Sequence, residues 1–187
     1  MLQPLANCLA SDDVDLLTDV CWAFAYLSDG PNERIQAVIQ TGAVPNMVVF
    51  MGSSSALQLP ALRTVGNIVT GDHNQTQYVL ECGALRNLAN LLRSHRKSLR
   101  KEACWAVSNI AAGTKSQMQA LIDCNILPQV VKMLSTDEFE VRKEAAWVVS
   151  NAASTNEPEH VRFVASSEIT SHQIQGCCFV WSHSAFV

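Results

Sequence analysis

Two series of short motifs recur along the chain at one spacing, and that period constrains the fold more than any other feature of the 187 residues. The first series is DVCWAFAYLSDG from Asp19, PALRTVGNIVTG from Pro60, EACWAVSNIAAG from Glu102 and EAAWVVSNAAST from Glu144. Its matched positions Trp22, Arg63, Trp105 and Trp147 lie 41, 42 and 42 residues apart. One helical turn after each come Tyr26, Asn67, Asn109 and Asn151. The second series is VIQTGAVPNMVVFM, VLECGALRNLANLL and LIDCNILPQVVKML, with Gly42, Gly83 and Asn125 again 41 and 42 residues apart. Interleaved series of equal period mark a stacked repeat, in which neighbouring units bury the apolar faces that one unit alone leaves open.

Each unit reads as three helices. In the unit that begins near His73, a short first helix covers about His73 to Glu81 and a second about Ala84 to Arg93. The second carries Leu85, Leu88, Leu91 and Leu92 at the three-four spacing of one buried stripe. Gly83 between them suits the left-handed conformation of a helix stop, and Asn125 is the next-best residue for that task. A third helix runs from about Ser98 to Ala112, and Gly113, like Gly71 and Gly30, closes it. The expected fold is all-α, a right-handed α-α superhelix with the third helices along one side. It comprises about three full repeats plus partial ends: a partial repeat at 1–30, full repeats at 31–71, 72–113 and 114–154, and the start of a truncated one at 155–165. Residues 166–187 abandon the pattern and read as a divergent, poorly ordered tail.

Composition narrows the function classes. With 48% hydrophobic and 16% charged residues the chain reads as folded and soluble. A net charge of -4 gives a nucleic-acid partner no bulk electrostatic support. The seven cysteines are odd in number and form no CxxC, which reads as reduced, mostly buried thiols of a cytosolic or nuclear protein. No signal-peptide pattern opens the chain, and no apolar run reaches the roughly 18 residues of a membrane span. The five histidines lack metal-ligand spacing, and no P-loop, GxSxG or HExxH occurs. No cofactor is implied, and the chain does not read as an enzyme.

The Trp and Asn of each motif share a helical face. An Asn side chain offers one acceptor and two donors, so it can hold a peptide C=O and N–H together. An indole can take the stem and cation of Lys or Arg. On this reading Trp105, Asn109, Trp147 and Asn151 line a surface built to hold a ligand. The alternative is a structural ladder in which the asparagines bond backbone between repeats. For Trp22, core packing is the expected role. Arg63 reads equally as a ligand contact or as a salt-bridge partner of Asp29 or Asp72. The basic run RSHRKSLRK, Arg93 to Lys101, reads as a solvated loop rather than a localisation-signal mimic.

CWAFAYLSDGPNERIQAV, PALRTVGNIVTG, KEACWAVSNIAAG and RKEAAWVVSNAAS resemble the armadillo repeats of the importin alpha family, adaptors that carry proteins with nuclear localisation signals. The resemblance spans about Met1 to Val164. It implies that Trp105, Asn109, Trp147 and Asn151 form the core of the family's minor peptide site. Tyr26, Arg63 and Asn67 then stand at its flank, with Ser108 and Glu144 contributing. It further implies partners with Lys/Arg-rich localisation signals, no nucleic-acid or membrane partner, and a place in cytoplasm and nucleus. The family's basic importin beta-binding segment finds no counterpart in the sequence, so coupling to importin beta is not expected. A scaffold with a structural Trp–Asn ladder, or a truncated product without function, is the competing expectation.

Overall fold

The computed structural model describes residues 2–154, and these form helices joined by short turns with no strand among the described residues. The expectations for 155–165 and for the 166–187 tail lie outside the described residues. α1 (Gln3–Asn7) continues into a 3-10 turn (Cys8–Ala10) and is followed by α2 (Val14–Ser28). Three helix triplets then succeed one another. They are α3 (Asn32–Gln40), α4 (Val44–Phe50) and α5 (Ser55–Ile68); α6 (His73–Glu81), α7 (Ala84–Leu91) and α8 (Lys97–Ala111); and α9 (Lys115–Asp123), α10 (Leu127–Thr136) and α11 (Phe139–Ala153). The long helices α2, α5, α8 and α11 pack in that order. One continuous core runs through the stack, from Leu9 and Phe24 to Val148 and Ala152.

The turn between first and second helices is set by backbone conformation. Gly42, Gly83 and Asn125 have φ of 74°, 84° and 54°. A side chain with a Cβ is disfavoured there, and Asn is the residue besides glycine that tolerates it best. Gly71 and Gly113 have a different task, because neither takes a positive φ. A Cβ on either would strike the side-chain oxygen of Gln75 or Gln117.

Those two glutamines show how successive units are pinned. Gln75 Oε1 accepts the Asp72 N–H at 3.1 Å while its Nε2 donates to the Asn32 carbonyl one repeat back at 3.0 Å. Gln117 does the same with the Thr114 N–H at 2.9 Å and the His73 carbonyl at 2.8 Å. Each side chain therefore completes the capping box of its own helix and closes a bond to the preceding first helix. Both glutamines are almost fully buried, which their full set of partners permits.

The run Arg93 to Lys101 spans the turn into α8; Arg93, His95, Lys97 and Ser98 are exposed, and part of the run also cross-links units. Arg100 grips Asp137 with two bonds of 2.7 and 2.8 Å, and its Nη1 also donates to the Ser94 carbonyl at 2.9 Å. Arg96 donates to the Ser55 carbonyl at 2.7 Å, and Lys97 pairs with Glu138 at 3.0 Å. The exposed turn is accompanied by ion pairs of Lys97, Arg100 and Lys101 to Glu138, Asp137 and Glu140, one repeat on.

Candidate functional site

α2, α5, α8 and α11 each bring one aromatic or cationic residue and one polar residue to matched positions. On α2, Trp22 and Tyr26 stack with ring centroids 6.0 Å apart, and Tyr26 is 68% exposed. On α8, Trp105 is half-buried, and on α11 Trp147 is 41% exposed. The indoles are not equivalent: Trp147 is exposed, whereas Trp22 and Trp105 are partly buried.

Trp105 lies close against α5 because α5 has a glycine at the contact. A Cβ on Gly66 would sit 2.5 Å from Cζ3 and 2.9 Å from Cε3 of the indole. From the same helix the Arg63 guanidinium lies over the ring, 5.7 Å from its centroid, within cation–π range. Arg63 Nη2 also donates to Glu102 Oε1 at 2.9 Å. The expected partners Asp29 and Asp72 are thus replaced by Glu102, a full repeat onward, because α5 and α8 pack side by side. Burial pushes the Glu102 carboxyl above its ordinary range, with Arg63 and then Lys101 opposing the rise. Its Oε2 is enclosed without a hydrogen-bond partner.

The asparagines divide into two kinds. Asn67 is 6% exposed, and its Nδ2 donates to the Ala25 carbonyl at 2.8 Å and to Ser28 Oγ at 3.1 Å. Both N–H bonds are therefore spent joining α5 to α2, which is the ladder arrangement and not an open clamp. Asn151 Nδ2 donates to the Ser108 carbonyl at 2.9 Å, joining α11 to α8 while the side chain stays part-exposed. Asn109 makes no such rung. Its Nδ2 is buried and has no partner. Ser108 is buried, with its hydroxyl donating to the Trp105 carbonyl at 2.8 Å, so its side chain serves α8 itself.

Glu144 is half-buried on α11. Desolvation raises its pKa, opposed by Lys101 and Lys143 and reinforced by Glu102 and Glu140. A carboxylate so placed favours any cation that approaches it. Thiol chemistry finds no support in the two buried cysteines of α2 and α8: burial pushes Cys21 to about 11 and Cys104 higher still. Among the described residues no cluster of His, Cys, Asp and Glu could hold a metal ion, and no helix is long and apolar enough to cross a membrane.

Comparison with known proteins bears directly on this arrangement. The armadillo/beta-catenin-like repeat model matches residues 72–112 and 115–154. Importin subunit alpha-1b of Oryza sativa subsp. japonica is 54% identical over 106 residues, which is 56% of this chain and 20% of that protein. Importin subunit alpha-3 of Arabidopsis thaliana is 53% identical over a stretch of the same length. The chain is an armadillo-repeat protein that is similar over this stretch to importin alpha subunits. It spans about a fifth of the length of these two relatives. A designed armadillo repeat protein, solved in complex with the peptide (KR)4, superposes with a TM-score of 0.86 at 30% identity, over 94% of this chain and 78% of that one. The fold is thus the right-handed armadillo solenoid. The importin alpha and armadillo-repeat proteins it resembles are adaptors and scaffolds, not enzymes.

Proposed function

We propose that the groove along α8 and α11 binds extended Lys/Arg-rich peptides of the nuclear localisation type, and that the protein serves as an import adaptor of cytoplasm and nucleus. One observation carries the reading. Asn109 holds a buried amide nitrogen with no partner, one turn after Trp105 and one repeat before the exposed Trp147. A buried donor left unmade costs about 1–3 kcal/mol, so a ligand carbonyl that satisfies it gains that much. Trp105 and Trp147 then take the basic side chains, and the desolvated Glu144 sets the charge preference. The importin relatives and the (KR)4 complex of the designed armadillo protein support the same ligand chemistry.

A second reading rests on Asn67 and Asn151, whose bonds to Ala25, Ser28 and Ser108 make them rungs of the scaffold. Under it the chain is a protein-interaction array that uses another face. A fluorescently labelled Lys/Arg-rich peptide separates the two. We expect binding in the micromolar range, about −8 kcal/mol, that weakens with salt and is lost when Trp105→Ala and Trp147→Ala are combined. Binding untouched by that pair of substitutions assigns the array to the scaffold reading.

A further inference from the structure

We propose that Ser55 is a phosphorylation site whose phosphate docks in a cavity between the α4–α5 and α7–α8 turns, held there by Arg96 and His95. The site lies where the chain enters the third helices, apart from the peptide groove, so it stands whether or not peptide binds.

The cavity measures about 310 Å³ and joins two successive units. α5 supplies Ser55 and Gln58, and the turn into α8 supplies Ser94, His95 and Arg96. No acidic residue lines it. A water molecule claims about 30 Å³ in the liquid, so a phosphoryl group fits with room for its hydration. Arg96 is anchored at this place, its Nη1 donating to the Ser55 carbonyl at 2.7 Å. Its guanidinium makes no other bond among the described residues, which leaves most of its donors for an acid. A phosphate on the side chain of the same residue comes within reach of that fork, and paired bonds to phosphate suit a guanidinium best. The exposed His95 adds a ring donor, and Gln58, one turn after Ser55, adds an amide. Asn87 also lines the cavity, but its Nδ2 is spent on the Val48 carbonyl at 2.6 Å.

Three serines stand in a row here, and their surroundings separate them. Gly52 to Ala56 are all exposed, which opens the segment to an enzyme. Ser53 already donates its hydroxyl to the Val49 carbonyl at 3.1 Å. Ser54 precedes α5 with a hydroxyl that makes no cap bond, and it does not line the cavity. Ser55 alone of the three lines it, and its hydroxyl is engaged by no hydrogen bond among the described residues.

The step is phosphoryl transfer from ATP by a protein kinase. Ser55 Oγ forms a bond to the γ-phosphorus, and the bond from that phosphorus to the β–γ bridging oxygen breaks. Its electron pair leaves on ADP, and the hydroxyl proton passes to the base of the kinase. The product carries a charge of about −1.5 to −2 where a neutral hydroxyl stood. Arg96 then holds both the carbonyl and the phosphate of residue 55, and so clamps the start of one unit's third helix to the turn of the next.

The docking is tested on protein with phosphoserine encoded at position 55, titrated by phosphorus NMR. The second ionisation of a free phosphoserine lies near pH 6, and beside Arg96 it should fall by about one unit. The same group encoded at position 53 should stay near 6. Arg96→Gln and His95→Gln together should return position 55 to that value. Should Arg96→Gln disturb folding by circular dichroism, His95→Gln alone must remove part of the shift. Phosphates at 53 and 55 that ionise alike, or a shift that survives these substitutions, overturn the docking. The modification is tested with radiolabelled ATP and a kinase-active extract of the cells that express the protein. The unmodified protein should take up label that Ser55→Ala loses and that Ser53→Ala with Ser54→Ala keeps. Absence of label, or label kept by Ser55→Ala, overturns the assignment of the site.

Discussion

Asn67 and Asn109 occupy the same place in the repeat and differ in every bond that matters. Asn67 joins two helices through both of its N–H groups in a site almost closed to water. Replacing it with Ala removes both bonds between α5 and α2 and leaves the Ala25 carbonyl with only the Ser28 hydroxyl as side-chain donor, so Asn67→Ala is expected to lower unfolding stability by about 1–3 kcal/mol. Its effect on peptide affinity should be small. Asn109→Ala removes a donor that has no partner, so its stability change should stay under about 0.5 kcal/mol or be favourable. Peptide binding is where that substitution should register, with a loss of about tenfold or more. Urea unfolding and peptide titration on both variants read the two quantities separately. A stability loss at Asn109 equal to that at Asn67 would make it another rung and remove the basis for calling it a clamp.

Helix packing along the stack hangs on small residues at the contacts, and Gly66 in α5 is the sharpest case. A glycine inside a helix ordinarily costs about 0.5–1 kcal/mol relative to Ala. Here the added methyl would lie 2.5 Å from a rigid indole carbon, and neither α5 nor Trp105 can yield without moving the α5–α8 contact. Gly66→Ala is therefore expected to destabilise by about 1–3 kcal/mol, and to become neutral or stabilising when Trp105→Leu is made as well. An increase in stability from Gly66→Ala alone would disprove the close contact. The same element shows what a sequence can and cannot reveal. The period, the helices of the His73 unit to within about two residues at their ends, and the left-handed Gly83 and Asn125 were legible, because each follows from local spacing or backbone sterics. Arg63 was legible as a break in the Trp series, but its partner was not. Glu102 is reached only through the rotation of one unit on the next, which no local pattern encodes. The same holds for Gly71 and Gly113, whose small size serves Gln75 and Gln117 and not the helix stop. Asn67 and Asn109 likewise read alike in sequence, and only the packing of α2 and α5 tells them apart.

Across the whole molecule, each unit touches its neighbours and little else, so stability is the sum of unit and interface contributions. The Arg100–Asp137 pair shows the consequence. It ties α8 and its preceding turn to the α10–α11 corner, with Asp137 only 8% exposed. Asp137→Asn should lower stability by about 1.5–3 kcal/mol at neutral pH. The Arg100 bond holds the Asp137 carboxyl below its ordinary range, with burial opposing and the Glu138 N–H assisting. A depressed folded pKa contributes stability that is complete above the unfolded value, about 3.9, and is lost as pH falls through the folded one. The gap between Asp137→Asn and the unmodified protein should hold steady from about pH 8 to 5 and close below about pH 4. Glu102 and Glu144 act with the opposite sign: burial raises both, so the folded state binds protons first and gains stability as pH falls toward the ordinary carboxylate range. Glu144→Gln should flatten that gain. Because coupling passes only between neighbours, Asp137→Asn should weaken hydrogen-exchange protection in α10 and α11 while α2 to α5 keep theirs. Uniform loss across all the helices would mean that the array unfolds as one cooperative block, and the additive picture of its repeats would have to be abandoned.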